Sequence, residues 1–200
     1  MEKNMQHTQF LQPDQQPLQP LAMHPRKFIV WLFMVSIFMM FAGWTSAFLV
    51  ARSEGDVLNI ELPSLFTIST VLLVISSVTM HLAIRSARRD NLQGLKLFLG
   101  ITLALGVVFL AAQWTGFARF MEMDIYFVGG TAVQSFMYVL PFMHGLHIIA
   151  GLIFVGLVLY RAYRFKVHSK NMLSLEMCAT FWHFLDALWL YLFLFLTLNA

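Results

Sequence analysis

Long apolar runs recur five times along this chain, over residues 28–50, 63–84, 94–114, 130–160 and 177–198, and between them the sequence turns polar and charged. At ~1.5 Å per residue each run can cross a hydrocarbon layer of ~30 Å as a helix, and the fourth is long enough to tilt or protrude. Strands are not expected. No run alternates apolar and polar positions, and backbone facing lipid must close its hydrogen bonds within a helix or a sealed barrel. The pattern therefore predicts an all-α, polytopic five-helix bundle over residues 28–200. Residues 1–27 depart from it, being rich in Gln, holding Pro13, Pro17, Pro20 and Pro25, and having no apolar core. They are expected to form a disordered tail rather than a secretory signal, because no apolar run with a cleavage site precedes Phe28.

Composition reinforces this reading. A chain of 200 residues that is 59% hydrophobic and 12% charged is not a water-soluble domain. Its single cysteine, Cys178, excludes an internal disulfide or a multi-thiolate metal site and is read as a small packing residue. Charge then sets an expected topology. Eleven basic residues fall in the tail and in the second-to-third and fourth-to-fifth connections, against only Arg52 and Arg119 in the other two loops. By the positive-inside rule the N-terminus is cytoplasmic and the C-terminus lies on the outer side. The basic pI needs no nucleic-acid partner to explain it. Small residues at fourfold spacing, Gly43, Ala47 and Ala51 on the first helix and Gly100 with Ala104 on the third, are expected to let neighbouring helices approach closely.

Polar residues inside the runs are few enough to weigh singly. The last run reads Phe181-Trp182-His183-Phe184-Leu185-Asp186, and a central Asp in a spanning helix costs roughly 2.5–3.5 kcal/mol, so it should face protein, a partner or water. His144 and His147 share a helix face after Pro141, with Gly145 and Gly151 leaving space beside it; His81 lies near the cytoplasmic end of the second run. Counted from the cytoplasmic edges, His147 is roughly 21 Å deep, Asp186 about 15 Å, His183 about 10 Å and His81 about 6 Å. An Asp186–His147 contact is within reach at those depths, and His183 and His81 can share water or a lipid headgroup. Ser76, Ser77 and Thr79 offer hydroxyls that bond to backbone or across helices.

Three roles compete for these imidazoles. Ligation of two haems favours two well-spaced His on each of two helices at matching depth, whereas here one helix has an i, i+3 pair and another a lone His. A proton relay through His and Asp ranks above metal or haem. A structural or lipid-contact role leads, because buried polar groups are usually just paired. No phosphate-binding loop and no nucleophile with a base at motif spacing is present, so this chain alone is not expected to catalyse a reaction. An independent transporter is disfavoured by the lack of an inverted repeat.

Over residues 28–198 the chain resembles the third subunit of haem-copper respiratory oxidases, in its five-helix form. Phe181-Trp182-His183-Phe184-Leu185-Asp186, followed by Trp189, is similar to that family's aromatic-Trp-His-Phe-x-Asp signature. Ser135-Phe136-x-Tyr138 and then His144-Gly145-Leu146-His147 with Gly151 resemble its Ser-Phe-x-Tyr and His-x-x-His region. Ser76-Ser77-x-Thr79 resembles the end of another helix, and Gln113 matches a recurrent polar position. The resemblance implies a non-catalytic subunit of a cytochrome c or quinol oxidase in a bacterial inner membrane. Haem and copper would reside in the partner catalytic subunit and not in this chain. Such a subunit binds phospholipid in its clefts, supports proton uptake by its partner and slows its turnover-linked inactivation. Two positions depart from the pattern: Ile37 stands where the family has a buried glutamate, and Gly116 where many members have an acid. These departures suggest a divergent branch, either one of two such subunits in the same complex or the related accessory chain of a nitric oxide reductase.

Overall fold

The computed structural model describes residues 24–54, 64–124, 126–164 and 172–199, which form five α-helices. They are α1 (Pro25–Ser53), α2 (Ser64–Arg88), α3 (Leu92–Glu122), α4 (Ala132–Tyr163) and α5 (Leu173–Asn199). All five are long and apolar enough to span a membrane. The tail over 1–27 falls mostly outside the described residues, but its last three form the first turn of α1. There Pro25 occupies the first helical position, where its missing N–H costs nothing, and His24 Nδ1 accepts from the Arg26 amide at 3.3 Å. Lys27 is tied to Glu176 of α5 at 2.7 Å.

Helix ends follow local chemistry. The α2–α3 connection is short: Asp90 adopts a left-handed conformation (φ 53°), and the Asn91 side chain caps α3 by accepting from the Gly94 amide at 3.0 Å. So tight a turn makes α2 and α3 antiparallel neighbours with the most extensive contact in the bundle. A second left-handed residue, Asp124 (φ 56°), stops α3. Its carboxylate accepts from the Tyr126 hydroxyl at 3.1 Å and, chiefly through that bond, holds the phenol above its ordinary pKa. Thr131 and Gln134 then form a reciprocal capping box that opens α4. Pro141 lies inside α4 without ending it.

The helices are arranged around α5. It packs against α1, α2 and α4, while α4 also meets α1 and α3; among the described residues the backbone of α1 does not closely approach that of α2 or α3. α1 and α5 run parallel in one register, joined by Lys27–Glu176, by Phe33 on Phe181 (5.9 Å), by Thr45–Tyr191 (3.0 Å) and by Arg52–Asn199 (3.1 Å). Lipid solvates apolar side chains as well as protein does, so these contacts, not apolar burial itself, must set the packing. The fully buried Phe41, Phe48, Phe66, Phe109, Trp182 and Trp189 form the interior.

One expectation from spacing is corrected. A Cβ built on Gly43 or Gly100 would meet nothing within 4 Å, so neither glycine brings helices of this chain close together, although Ala51 at the end of the first stripe does pack against the core. Close approach occurs instead at Gly106 and Gly151. A Cβ on Gly106 would lie 2.9 Å from Trp182 and 2.6 Å from Leu152, and one on Gly151 would lie 3.0 Å from Leu185 and 3.3 Å from Trp182. Gly145, by contrast, leaves ordinary contact with Leu110 at 3.8 Å.

Candidate functional site

The polar residues of α2 form two hydrogen-bonded seams. Toward α5, Ser76 Oγ accepts from Trp182 Nε1 at 2.9 Å, Thr70 Oγ1 accepts from Trp189 Nε1 at 3.0 Å, and Ser77 Oγ is 2.6 Å from His183 Nδ1. Toward α3, Ser69 Oγ accepts from Gln113 Nε2 at 2.9 Å, and Thr79 and Thr102 share a hydroxyl bond of 2.8 Å. Helical geometry makes this work. Ser69 and Thr70 donate their own hydroxyls back to the Phe66 carbonyl at 2.9 and 2.7 Å, which leaves lone pairs free for indole and amide donors from neighbouring helices.

Trp182 is where four helices meet. Its ring lies against Gly106 of α3 and Gly151 of α4, and its N–H goes to Ser76 of α2. Both glycines are needed for their lack of a side chain, since a methyl on either would press on the indole.

The imidazoles are used differently from one another. His144 is wholly buried, with its ring 5.1 Å from Trp189, 6.1 Å from Phe109 and 6.4 Å from Phe41, and neither ring nitrogen has a hydrogen-bond partner among the described residues. His147 is half-buried, its ring 5.7 Å from Phe41 and its Nδ1 2.6 Å from the Met143 carbonyl of its own helix. His183 is half-buried on the crevice between α1, α2 and α5. His81 is exposed.

Asp186 is buried, and neither of its oxygens has a hydrogen-bond or ion-pair partner among the described residues. The Asp186–His147 contact considered from depth is therefore not made. Ser135 serves locally, donating to the Phe127 carbonyl at 3.0 Å and fixing the connection before α4, while Tyr138 stacks on Phe117 at 5.7 Å and meets Phe120 and Phe127 edge-on. Among the described residues no three His, Cys, Asp or Glu side chains converge as metal ligands would. Both departures from the family pattern are filled by packing. Ile37 is buried in the apolar core, and a Cβ on Gly116 would already press on Phe66 at 3.2 Å.

Ser69, Thr70, Thr102 and Gly106 are site residues that the sequence reading passed over. The signal was present for the first two, which lie seven positions before Ser76 and Ser77 and so on the same two stripes of α2.

Five helices able to span a membrane, joined by hydroxyl, indole and amide bonds, define a polytopic all-α membrane protein whose interhelix polar residues hold helices together. The family model for cytochrome c oxidase subunit III matches residues 20–199, and the chain belongs to that family. It is 33% identical over 182 residues to cytochrome c oxidase subunit 3 of Synechocystis sp., covering 86% of this chain and 75% of that protein. It is 30% identical over 173 residues to cytochrome bo(3) ubiquinol oxidase subunit 3 of Buchnera aphidicola, covering 84% and 88%. With quinol oxidase subunit 3 of Bacillus spizizenii it shares 29% over 167 residues, covering 82% and 81%. Members of this family are accessory subunits of haem-copper oxidases, so the chain is an oxidase subunit that acts in a complex.

Proposed function

We propose that this chain is the non-catalytic third subunit of a terminal oxidase in a bacterial cytoplasmic membrane, with its N-terminus on the cytoplasmic side. It packs against the catalytic subunit, which holds the haem and copper, stabilises that subunit during turnover and supports its proton uptake, with phospholipid bound in its clefts. One observation carries the reading: residues of the family signature are one another's partners, Trp182 with Ser76 and His183 with Ser77, and Gln113 is spent in the same way on Ser69 of α2. A signature spent on interhelix bonds is that of a scaffold, whose effect is exerted on a neighbour. Relatives named for cytochrome c and for quinol oxidases match about equally well, so the electron donor is set by other chains.

The test is deletion. Membranes lacking this chain should retain the oxidase's initial turnover rate but lose activity progressively during sustained turnover, and re-expression of the full chain should restore the time course. An oxidase whose rate and lifetime are indifferent to the chain would contradict the proposal.

A further inference from the structure

Where α1 meets α4, two polar atoms within the span are left unused by this chain. The two helices run antiparallel, in register through Phe41 against His147 at 5.7 Å and Phe48 against Phe136 at 6.4 Å. His147 lies at the midpoint of α4, fifteen residues from Ala132 and sixteen from Tyr163. At ~1.5 Å per residue it is ~22 Å from the nearer helix end, well inside a hydrocarbon layer of ~30 Å. Its Nδ1 is 2.6 Å from the Met143 carbonyl. A carbonyl only accepts, so Nδ1 carries the proton, and in the neutral ring Nε2 is left as an acceptor. Nε2 has no hydrogen-bond partner among the described residues and, in a half-buried ring, reaches the surface.

A donor accompanies this acceptor. Trp44 packs edge-on against the same Phe41 ring at 5.5 Å, nine residues inside the end of α1 at Ser53. The two fully buried indoles, Trp182 and Trp189, each donate to a hydroxyl of α2, whereas the half-buried Trp44 has no partner for its N–H among the described residues. Acyl chains can satisfy neither atom, having no polar hydrogen to give and no lone pair to offer. One turn along each helix the side chain is small: Ala47 follows Trp44 and the exposed Ala150 follows His147, both at i+3. Small residues next to polar ones are what allow spanning helices to approach closely and bond to each other.

We propose that the α1–α4 groove seats a spanning helix of another oxidase subunit, whose hydroxyl or amide side chain donates to His147 Nε2 and accepts from Trp44 Nε1. A Ser, Thr, Asn or Gln side chain has both functions in one group, which is what an acceptor and a donor around one phenyl ring require. Phospholipid does not meet the need, because its polar groups lie at the membrane surface, away from the midpoint of α4. The inference rests on the reading of the chain as an oxidase subunit and gives its contact with a partner a definite face and two definite atoms.

The experiment uses the full chain in the purified oxidase, challenged with rising detergent while native mass spectrometry counts the complexes that keep this chain. His147→Phe, which keeps a ring and removes both nitrogens, should raise dissociation roughly tenfold. Trp44→Phe should raise it less, and His147→Gln, whose amide still offers an acceptor, should recover part of the loss. The separated chain should unfold alike with His147 or Phe at that position, since the bond lost within the chain joins His147 only to its own helix. Dissociation unchanged in both Phe variants would overturn the proposal, as would a loss of stability in the separated chain as large as that in the complex. A photo-crosslinker attached at Ala150→Cys, in a Cys178→Ala background, should label another oxidase subunit. Adducts only with lipid, with a quinone or with a second copy of this chain would overturn the seat while leaving the proposed function standing. Purification of the chain with no other oxidase subunit would contradict that function itself, and the seat with it.

Discussion

Trp182 joins more helices than any other polar side chain described above, because one indole donates to a hydroxyl on α2 and fills a slot between glycines on α3 and α4. Trp182→Phe removes the N–H and part of the ring, and should cost about 3 kcal/mol or somewhat more from the lost bond and the space left behind. Ser76→Ala leaves the buried N–H unpaired and should cost about 1–3 kcal/mol. Reversible unfolding of the purified chain in detergent measures both, and the double variant should cost less than their sum because they share one bond. Asp186 behaves differently. With no hydrogen-bond partner among the described residues to strand, Asp186→Leu should leave the isolated chain as stable as wild type or more so, and any deficit should appear only in the assembled oxidase. A large loss of stability in the isolated chain would reveal an intrachain role for the carboxylate.

Among the elements, α3 offers an internal control for how glycine is used. Gly106→Ala forces a methyl against Trp182 and Leu152 and should destabilise by about 1–3 kcal/mol, whereas Gly100→Ala meets open space and should be neutral or stabilising by up to about 1 kcal/mol from helix propensity. The contrast in sign is read by the same unfolding measurement. Sequence spacing marked Gly100 as a packing position and missed Gly106, because both lie in one apolar helix and only the interhelix register tells them apart. Helix existence and number were legible, since each run is long, apolar and bounded by charge. Helix ends were less so: α3 continues to Glu122, well past the apolar run, because no proline or glycine turn intervenes and Arg119 and Glu122 pair at 2.6 Å on its surface. The motif residues were legible one by one, but Trp182–Ser76 and Gln113–Ser69 were not, since pairing across helices depends on rotations and offsets that no single helix encodes.

At the scale of the whole molecule, the arrangement around α5 leaves α1 the least enclosed helix, held by its register with α5 and by contact with α4. Lys27–Glu176 closes one end of that register, and both side chains are more than a third exposed, so Lys27→Ala should change stability by no more than about 1 kcal/mol. The proposed orientation, with the basic connections on the cytoplasmic side, is open to direct labelling. Cysteines introduced at Arg89 and at Glu122, in a Cys178→Ala background, should react with an impermeant thiol reagent from the cytoplasmic and the outer face respectively, and reversed labelling would refute the topology.

The central claim is that this chain is a haem-free partner of an oxidase's catalytic subunit. Native mass spectrometry of the complex purified through a tag on this chain tests it most directly, followed by dissociation and an optical spectrum of the separated polypeptide. A haem-copper catalytic subunit should be present in equal amount with the chain, and the separated chain should show no haem absorbance. Purification of the chain alone from mildly solubilised membranes, or stoichiometric haem remaining on the isolated polypeptide, would contradict it.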